Sequence, residues 1–184
     1  MSKGKLFVLS GASGVGKSTV LAQVMAQRQD LQFSVSATTR APRPGETEGV
    51  SYYFITKEQF QKMIDEDAFI EYDAHMDNYY GTPKDQLEEK LEHGHVLLDI
   101  EPNGAFIVKN ARPDATLIFI APPSREELEQ RLRSRGDTSE EQIVKRLDRS
   151  AWEMEQGKKY DYYVINDQVE TCAEEILNII ANAK

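Results

Sequence analysis

Cysteine is nearly missing from this chain of 184 residues, and the lone Cys172 cannot form an intrachain disulfide. Because no disulfide can form within the chain, a reducing compartment fits the sequence. In addition, no Cys and His residues have the spacing of a zinc site. Long apolar runs are missing too. The apolar stretch 6–9 near the N-terminus is too short for a signal peptide or a membrane span. We therefore expect a cytoplasmic protein that is not bound to a membrane.

A basic excess is also missing, because 22 Lys and Arg residues stand against 31 Asp and Glu residues, for a net charge of −9. Such a chain is not expected to bind nucleic acid or a lipid surface in general. Its basic residues are instead enriched locally, at 40–43 and 131–135. With 40% hydrophobic residues, the chain is expected to fold as a single globular domain.

The order of the predicted elements indicates an α/β fold. Segments with helical spacing or helix-start signals follow apolar runs at 6–9, 96–98, 116–120 and 162–165. Continuous apolar strands connected through helices are typical of a parallel sheet with helices on both faces.

Two segments interrupt this alternation. Residues 34–82 contain alternating and aromatic stretches and a helix that begins near Thr56, which predicts a mixed β insertion. Residues 124–156 are helical and arginine-rich and are broken at 135–137, which predicts a hinged helical lid. Ser124, with Glu127 three residues later, is a capping-box pattern that starts this lid. The predicted core of the domain is then 1–33, 83–123 and 157–184.

A glycine-rich loop matches the pattern G-x-x-x-x-G-K-[ST] in full, after a predicted strand and before a predicted helix. Its residues are Gly11, Ala12, Ser13, Gly14, Val15, Gly16, Lys17 and Ser18. The glycines let successive N–H groups approach a β-phosphate beside a helix N-terminus. Lys17 is expected to contact the β- and γ-phosphates of ATP, and Ser18 to ligate Mg²⁺. The alternative is a glycine-rich turn that only links the strand to the helix.

Asp99 follows the apolar run 96–98 directly. An acid at the end of a buried strand is the arrangement that holds Mg²⁺ or its water shell in proteins with this loop, so Asp99 is the second predicted metal ligand. An ordinary acid at a strand end is the alternative.

Several further motifs, in order along the chain, resemble those of guanylate kinases. They are 36–46, Gly49, Tyr52, 69–71, 78–82, 118–124, 135–136, 145–146 and 164–167. The likeness covers nearly the whole chain. It implies a P-loop kinase fold in which the insertion 34–82 binds GMP and the lid 124–156 closes over the phosphates.

The resemblance implies that Arg40 and Arg43 grip the phosphate of the acceptor, with help from Tyr52 and Tyr80. The chemistry agrees, because the two arginines flank Pro42, which stiffens the loop and holds two planar forks ready for a phosphate. An exposed basic loop is the alternative for an isolated R-x-x-R pattern.

The resemblance also implies that Glu71 reads the guanine base. A carboxylate can accept hydrogen bonds from guanine N1–H and the N2 amine, whereas adenine offers neither donor at those positions. Ser36 and Thr82 match hydroxyl-bearing positions that complete base recognition, and packing or turn formation is their alternative. Glu101 is expected to contact the acceptor base or ribose.

In the lid, Arg131, Arg135 and Arg146 match arginines that neutralise the transferring phosphoryl group, so Lys17, Arg43, Arg135 and Arg146 are the predicted catalytic residues. A solvated charged helix is the alternative reading of the lid arginines. Asn166 and Asp167 match the family's adenine pocket and are predicted ATP-binding residues.

One segment departs from the family pattern. After Asp99 the chain reads Ile100-Glu101-Pro102-Asn103-Gly104, where Pro102 and Asn103 replace the usual pair before the glycine. Pro102 fixes φ at the entrance of the next helix, and Asn103 can cap that helix. The departure weakens the expected contact of Glu101 more than the expected role of Asp99.

These observations predict an enzyme that transfers the γ-phosphate of MgATP to GMP, and to dGMP, in purine nucleotide metabolism. Two alternatives remain at this point. One is a catalytically inactive module of the same fold that binds phosphopeptides, and the other is a kinase for another nucleoside monophosphate. The expected partners are ATP and GMP, with no nucleic acid and no membrane, and the chain is expected to be a monomer or a homodimer.

Overall fold

A computed structural model describes residues 4–75, 77–134 and 139–183. Its strands are β1 (Leu6–Gly11), β2 (Leu31–Phe33), β3 (Ala37–Thr38), β4 (Tyr53–Phe54), β5 (Phe69–His75), β6 (Asn78–Pro83), β7 (His95–Asp99), β8 (Thr116–Ala121) and β9 (Tyr162–Ile165). Its helices are α1 (Lys17–Gln27), α2 (Lys57–Asp65), α3 (Lys84–His93), α4 (Pro102–Ala111), α5 (Arg125–Ser134), α6 (Glu140–Gly157) and α7 (Val169–Asn182). The chain divides into a first unit (4–6, 30–99 and 103–115) and a second unit (7–29, 100–102 and 116–183).

Parallel strands form the centre of the second unit, where β8 pairs with both β1 and β9. The segment Leu117–Ala121 is buried throughout, because a parallel strand covered on both faces must be apolar along its whole length. Helix α1 contacts α7, and α6 contacts β8. The phosphate-binding loop leaves this sheet at the end of β1.

Helices α5 and α6 form a small apolar cluster of their own in the second unit. Its members are Leu128, Leu132, Ile143 and Leu147. Helix α5 begins after Ser124, whose hydroxyl accepts a hydrogen bond of 3.1 Å from the N–H of Glu127. The predicted helix start at Ser124 is therefore confirmed.

In the first unit, β2 pairs with β7 in parallel. Helix α3 lies against β7 and buries Leu87 and Leu91, which are four residues apart on one face. The sequence pattern did not predict α3 or β2, since two leucines in a charged stretch and a strand of three residues give little periodicity.

A second sheet in the first unit has the strand order β4-β3-β6-β5. Its β3–β4 pair is parallel, whereas β6 pairs antiparallel with both β3 and β5, so the sheet is mixed as predicted. Helix α2 begins at a capping box formed by Thr56 and Gln59, which confirms the helix start predicted near Thr56. Phe60 of this helix stacks on Phe69 of β5 at 4.4 Å between ring centroids. The predicted α/β class, with parallel strands, helices and a mixed second sheet, is confirmed.

Helix α4 begins at Pro102, although the sequence indicated Asn103 as its cap. Proline suits the first position of a helix, because the N–H that it lacks would have no partner inside the helix. Asn103 therefore lies in the first turn of α4 and not at its cap.

Within residues 4–75, 77–134 and 139–183, no helix is both long enough and apolar enough to cross a membrane.

Candidate active site

The glycine-rich loop joins the end of β1 to the start of α1 in the second unit. Gly14 and Gly16 have φ angles of 86° and 91°, a left-handed conformation that residues with a side chain rarely adopt. Gly16 is the N-cap of α1, and the first turn of that helix, 17–19, contains no acidic side chain. The N–H groups at this end of α1 are thus suited to an anion.

Lys17 is the first residue of α1 and is half-buried, while Ser18 is the second and is exposed. Ala12 and Val15 are buried. Their backbones form a turn in which the N–H of Val15 donates a hydrogen bond of 3.0 Å to the carbonyl of Ala12. The apolar side chains anchor the loop while its backbone stays available.

A cavity of about 300 Å³ opens beside this loop in the second unit. Its lining residues are Gly14, Val15, Gly16, Thr19, Arg131, Ser134, Asn166, Asp167 and Val169. Part of the loop, one lid arginine and both residues predicted to bind adenine therefore meet around a single cavity.

Asn166 follows β9 and is 2% exposed. Its Nδ2 donates a hydrogen bond of 2.8 Å to the carbonyl of Val15, which ties the end of β9 to the loop. Its Oδ1 is buried and has no hydrogen-bond donor among the described residues. A buried acceptor without a donor is costly, by about 1–3 kcal/mol, so this atom is suited to a donor on a ligand in the cavity.

Arg131 of α5 contacts the same segment. Its Nη1 donates a hydrogen bond of 2.8 Å to the carbonyl of Asn166, and its Nη2 donates one of 3.3 Å to the carbonyl of Asp167. Its Nε donates a hydrogen bond of 2.9 Å to the carboxylate of Glu127. Sequence reasoning placed Arg131 with the lid arginines that face phosphate. In this structure its guanidinium holds two backbone carbonyls at the edge of the cavity.

The other two predicted lid arginines are Arg135 and Arg146. Arg146 is an exposed residue of α6. Arg135 lies outside the described residues.

Sequence reasoning missed Glu153, which contacts the loop, and Arg149, which contacts Glu153. Glu153 of α6 accepts a hydrogen bond of 2.7 Å from the N–H of Ser13, and also binds Arg149, whose Nη2 donates 2.9 Å to Glu101. Glu101, predicted as a contact to the acceptor, is thus an ion-pair partner of Arg149 here. A signal existed in the sequence, because Glu153 falls on the same helical face as Ile143 and Leu147.

The first unit holds a separate cluster around its second sheet. Glu71 of β5 and Thr82 of β6 stand opposite each other, and the Thr82 hydroxyl donates 2.6 Å to Glu71 Oε1. Glu71 is only 5% exposed. Burial raises the pKa of Glu71 to about 7, although the hydrogen bond from Thr82 opposes this rise.

Arg40 is fixed by Glu46 in the loop between β3 and β4. Its Nη1 and Nη2 donate 2.9 Å and 2.8 Å to the two carboxylate oxygens of Glu46, and Nη1 also donates 2.7 Å to the carbonyl of Ala41. Glu46 accepts the N–H of Arg43 at 2.7 Å as well. One carboxylate therefore shapes the whole R-x-x-R loop, while the Arg43 side chain is exposed.

Two tyrosines complete this cluster. The Arg40 guanidinium lies 5.4 Å from the ring centroid of Tyr52, and the Tyr52 and Tyr80 rings meet edge to face at 5.9 Å. Burial, and to a lesser extent the charge of Asp99, raises the pKa of the Tyr52 hydroxyl. The structure thus brings Arg40, Tyr52 and Tyr80 together. Ser36 is half-buried and precedes β3.

The predicted metal ligands are Ser18 and Asp99. Asp99 is half-buried at the end of β7 in the first unit, and Ser18 lies in the second. Among the described residues, no group of three or more His, Cys, Asp or Glu side chains could hold a metal ion by itself. A hydroxyl and a carboxylate are nevertheless oxygen donors of the kind Mg²⁺ accepts, since this ion takes much of its coordination from water and substrate phosphates.

A glycine-rich loop with Lys17 and Ser18, placed between a buried parallel strand and a helix, defines the class of P-loop proteins that bind nucleoside triphosphates. The family model described as guanylate kinase matches residues 3–183. The chain belongs to the guanylate kinase family, and it is a phosphotransferase. The family resemblance seen in the sequence is therefore confirmed.

Individual relatives agree with this assignment. A guanylate kinase of Thermus thermophilus is 48% identical over 179 residues, which cover 97% of this chain and 81% of the relative. A guanylate kinase of Clostridioides difficile is 45% identical over 185 residues, covering 100% of this chain and 90% of the relative. A crystal structure of guanylate kinase from Anaplasma phagocytophilum matches with a TM-score of 0.79 and 35% identity, covering 98% of this chain and 86% of that one.

Proposed function

We propose that the enzyme transfers the γ-phosphate of ATP to GMP, and also to dGMP, and releases ADP and the nucleoside diphosphate. The observation that carries the choice of acceptor is the buried carboxylate of Glu71 beside the Thr82 hydroxyl. Such a carboxylate favours a base with two adjacent N–H donors, because another base would leave it buried and unpaired. Guanine has these donors at N1 and N2.

The acceptor phosphate is proposed to bind at the cluster formed by Arg40, Tyr52 and Tyr80, together with Arg43. Arg40 is held in a fixed orientation by Glu46 and by the Tyr52 ring. A guanidinium that is already oriented loses less conformational freedom when it binds a phosphate. Ser36 and Thr82 are proposed to complete the recognition of the base, and Glu101 to contact the acceptor in the closed enzyme after leaving Arg149.

ATP is proposed to bind with its phosphates along 11–18 and its base in the cavity lined by Asn166 and Asp167. The buried Oδ1 of Asn166 would accept from the amino group of adenine. Lys17 would contact the β- and γ-phosphates, and Arg131 would hold the carbonyls that shape the cavity. Mg²⁺, bound by the phosphates with Ser18 and Asp99, would neutralise charge on the β- and γ-phosphates.

The chemical step needs no general base, because the attacking oxygen of the acceptor phosphate is already anionic near neutral pH. Positioning and charge neutralisation then supply the catalysis. Lys17, Arg43, Arg135 and Arg146 are the proposed catalytic residues, with residues 124–156 as the lid that brings the last two to the phosphates and excludes water. Residues 34–82 are the proposed GMP-binding insertion, and 1–33, 83–123 and 157–184 the proposed core.

The test is a coupled assay of ADP release with GMP, dGMP, IMP, AMP, CMP and UMP as acceptors. We expect GMP and dGMP to be the best substrates, and IMP, which lacks the N2 amine, to be poorer. A preference for AMP or for a pyrimidine nucleotide would disprove the guanine assignment. The location in the cytoplasm, the absence of nucleic-acid binding, and a monomeric or homodimeric state stay predictions.

A further inference from the structure

Glu153 is a buried carboxylate that the proposed phosphoryl transfer does not use. It lies on α6, and the residue is 2% exposed. Its Oε2 accepts the N–H of Ser13 at 2.7 Å, and its Oε1 accepts the Nε of Arg149 at 2.9 Å. The carboxylate therefore joins the second helix of the lid segment to the middle of the phosphate-binding loop.

An apolar side chain at this position on α6 would cost less free energy to bury than a carboxylate does. Glu153 shares its buried face with Ile143, Leu147 and Ser150. Burial raises the pKa of Glu153, although Arg149 and the Ser13 N–H counter the rise by donating hydrogen bonds to it. A buried charge adds less stability than a well-packed apolar side chain, so its presence points to a local task.

Arg149 is oriented by more than Glu153. Its Nη2 donates 2.9 Å to Glu101, and its guanidinium lies 5.8 Å from the centroid of the Trp152 ring. Arg149 is therefore a partner that holds the Glu153 carboxylate in place and opposes the effect of burial on its pKa.

The start of the loop is held separately, just before Gly11. The Ser10 hydroxyl donates a hydrogen bond of 2.6 Å to the carbonyl of Ile100 and accepts one of 2.7 Å from the hydroxyl of Tyr160. Side-chain contacts thus hold the loop at Ser10 and again at Ser13. Between Ser13 and the start of α1 the chain contains two glycines with positive φ, which could otherwise adopt several conformations.

We propose that Glu153 is a positioning residue for ATP: it binds the Ser13 N–H and so keeps the N–H groups of 14–18 directed at the phosphates. A loop that is already ordered loses less conformational entropy when nucleotide binds. This inference rests on the proposed role of the loop in binding ATP.

Two variants separate a positioning role from a merely structural one. Glu153→Leu fills the buried position but cannot accept the Ser13 N–H, whereas Glu153→Gln keeps an amide oxygen that can accept it. The matched control is Glu155→Gln on the same helix, whose carboxylate is exposed and pairs with Lys158. Binding of the ATP analogue AMP-PNP with Mg²⁺, and of GMP, is measured separately by calorimetry.

Glu153→Leu should weaken AMP-PNP binding by about 10-fold or more, the loss expected for a charged hydrogen-bond partner. Glu153→Gln should recover most of the affinity, and Glu155→Gln should bind as the wild type does. The affinity for GMP should stay the same in all three variants. Equal weakening of AMP-PNP and GMP, or unchanged AMP-PNP binding in Glu153→Leu, overturns the proposal.

A measurement on the wild type gives a second test that does not depend on the folding of a variant. The Ser13 N–H should exchange with solvent on the order of 10²-fold more slowly than an unprotected amide, both with and without AMP-PNP. Exchange as fast as that of an open loop overturns the role of Glu153. Failure of the wild type to bind AMP-PNP at all would instead disprove the proposed function of the loop.

Discussion

The Thr82 hydroxyl donates a hydrogen bond of 2.6 Å to Glu71 across a strand pair, inside a sheet where the carboxylate is almost fully buried. The hydrogen bond orients the carboxylate but does not offset its burial, so the pKa of Glu71 rises to about 7. A group that titrates near neutral pH in the proposed base site has consequences for both binding and stability.

The first prediction concerns the pH dependence of acceptor binding. Only the ionised form of Glu71 can accept from both guanine donors, so the KM for GMP should rise as the pH falls below about 7. The KM for ATP should not follow this change. Steady-state kinetics between pH 5.5 and pH 8.5 measure both constants.

Glu71→Gln is the control for this profile, because the phosphate of GMP also titrates in this range. The variant should show the phosphate titration alone, with a flatter profile. A profile that is identical in the variant and the wild type would show that Glu71 is not the titrating group.

The second prediction concerns stability. Burial raises the pKa of Glu71 from 4.5 to about 7 in the folded state, so this group stabilises the fold most below pH 4.5, and that contribution is lost as the pH rises through about 7. The loss amounts to about 3 kcal/mol at most. The side chain of Glu71→Gln cannot ionise. The free energy of unfolding of this variant, minus that of the wild type, should therefore be larger at pH 8 than at pH 5. Denaturant unfolding at the two pH values measures this, and an equal difference at both would contradict it.

The third prediction concerns Glu46, which holds Arg40 through two hydrogen bonds. Glu46→Ala should free the guanidinium and raise the KM for GMP by roughly 3- to 10-fold, the cost of ordering one long side chain. The KM for ATP should be unchanged. Glu66→Ala, which removes an exposed partner of Lys62, is the control. Tighter GMP binding in Glu46→Ala would mean that Glu46 competes with the phosphate.

The fourth prediction concerns Asn166, whose side chain donates to the carbonyl of Val15. Asn166→Ala should raise the KM for ATP by roughly 5- to 100-fold, because it removes both this bond and the proposed acceptor for adenine. Asn182→Ala, at an exposed amide near the end of α7, should have no effect. An equal increase in the KM for GMP would indicate a general loss of structure.

The fifth prediction separates the two sites. Lys17→Ala should lower kcat on the order of 10²-fold or more with every acceptor, since it removes charge stabilisation at the transferring group. Glu71→Ala should instead reduce the preference for GMP over the other monophosphates. Equal and unselective defects in the two variants would contradict the assigned roles.

Local patterns in the sequence predicted much of the fold. The continuous apolar run 116–120 became β8, and the caps at Thr56 and Ser124 became the starts of α2 and α5. Helix α3 went unpredicted, because its buried face shows only two leucines among charged residues and its stability depends on packing against β7. Helix α4 begins at Pro102 and not after a cap at Asn103, because proline suits the first position of a helix.

The candidate site also contains features that the sequence predicts and features that it does not. The residue types of 11–18 and of the R-x-x-R loop are readable because each motif is continuous in the chain. The bidentate contact between Arg40 and Glu46 is also local, since its members are six positions apart, but nothing in the pattern alone selects this geometry.

The sequence by itself determined the phosphate-binding loop, the parallel strands and the family, because these depend on short patterns whose physical requirements are local. Only the tertiary structure decided that Glu71 is buried enough to titrate near neutral pH, and that Arg131 holds the carbonyls of Asn166 and Asp167. It alone also placed the Glu153 carboxylate on the Ser13 N–H, across 140 positions in the chain. Burial and long-range hydrogen bonds depend on how segments far apart in the chain pack together, and no local sequence pattern specifies that packing.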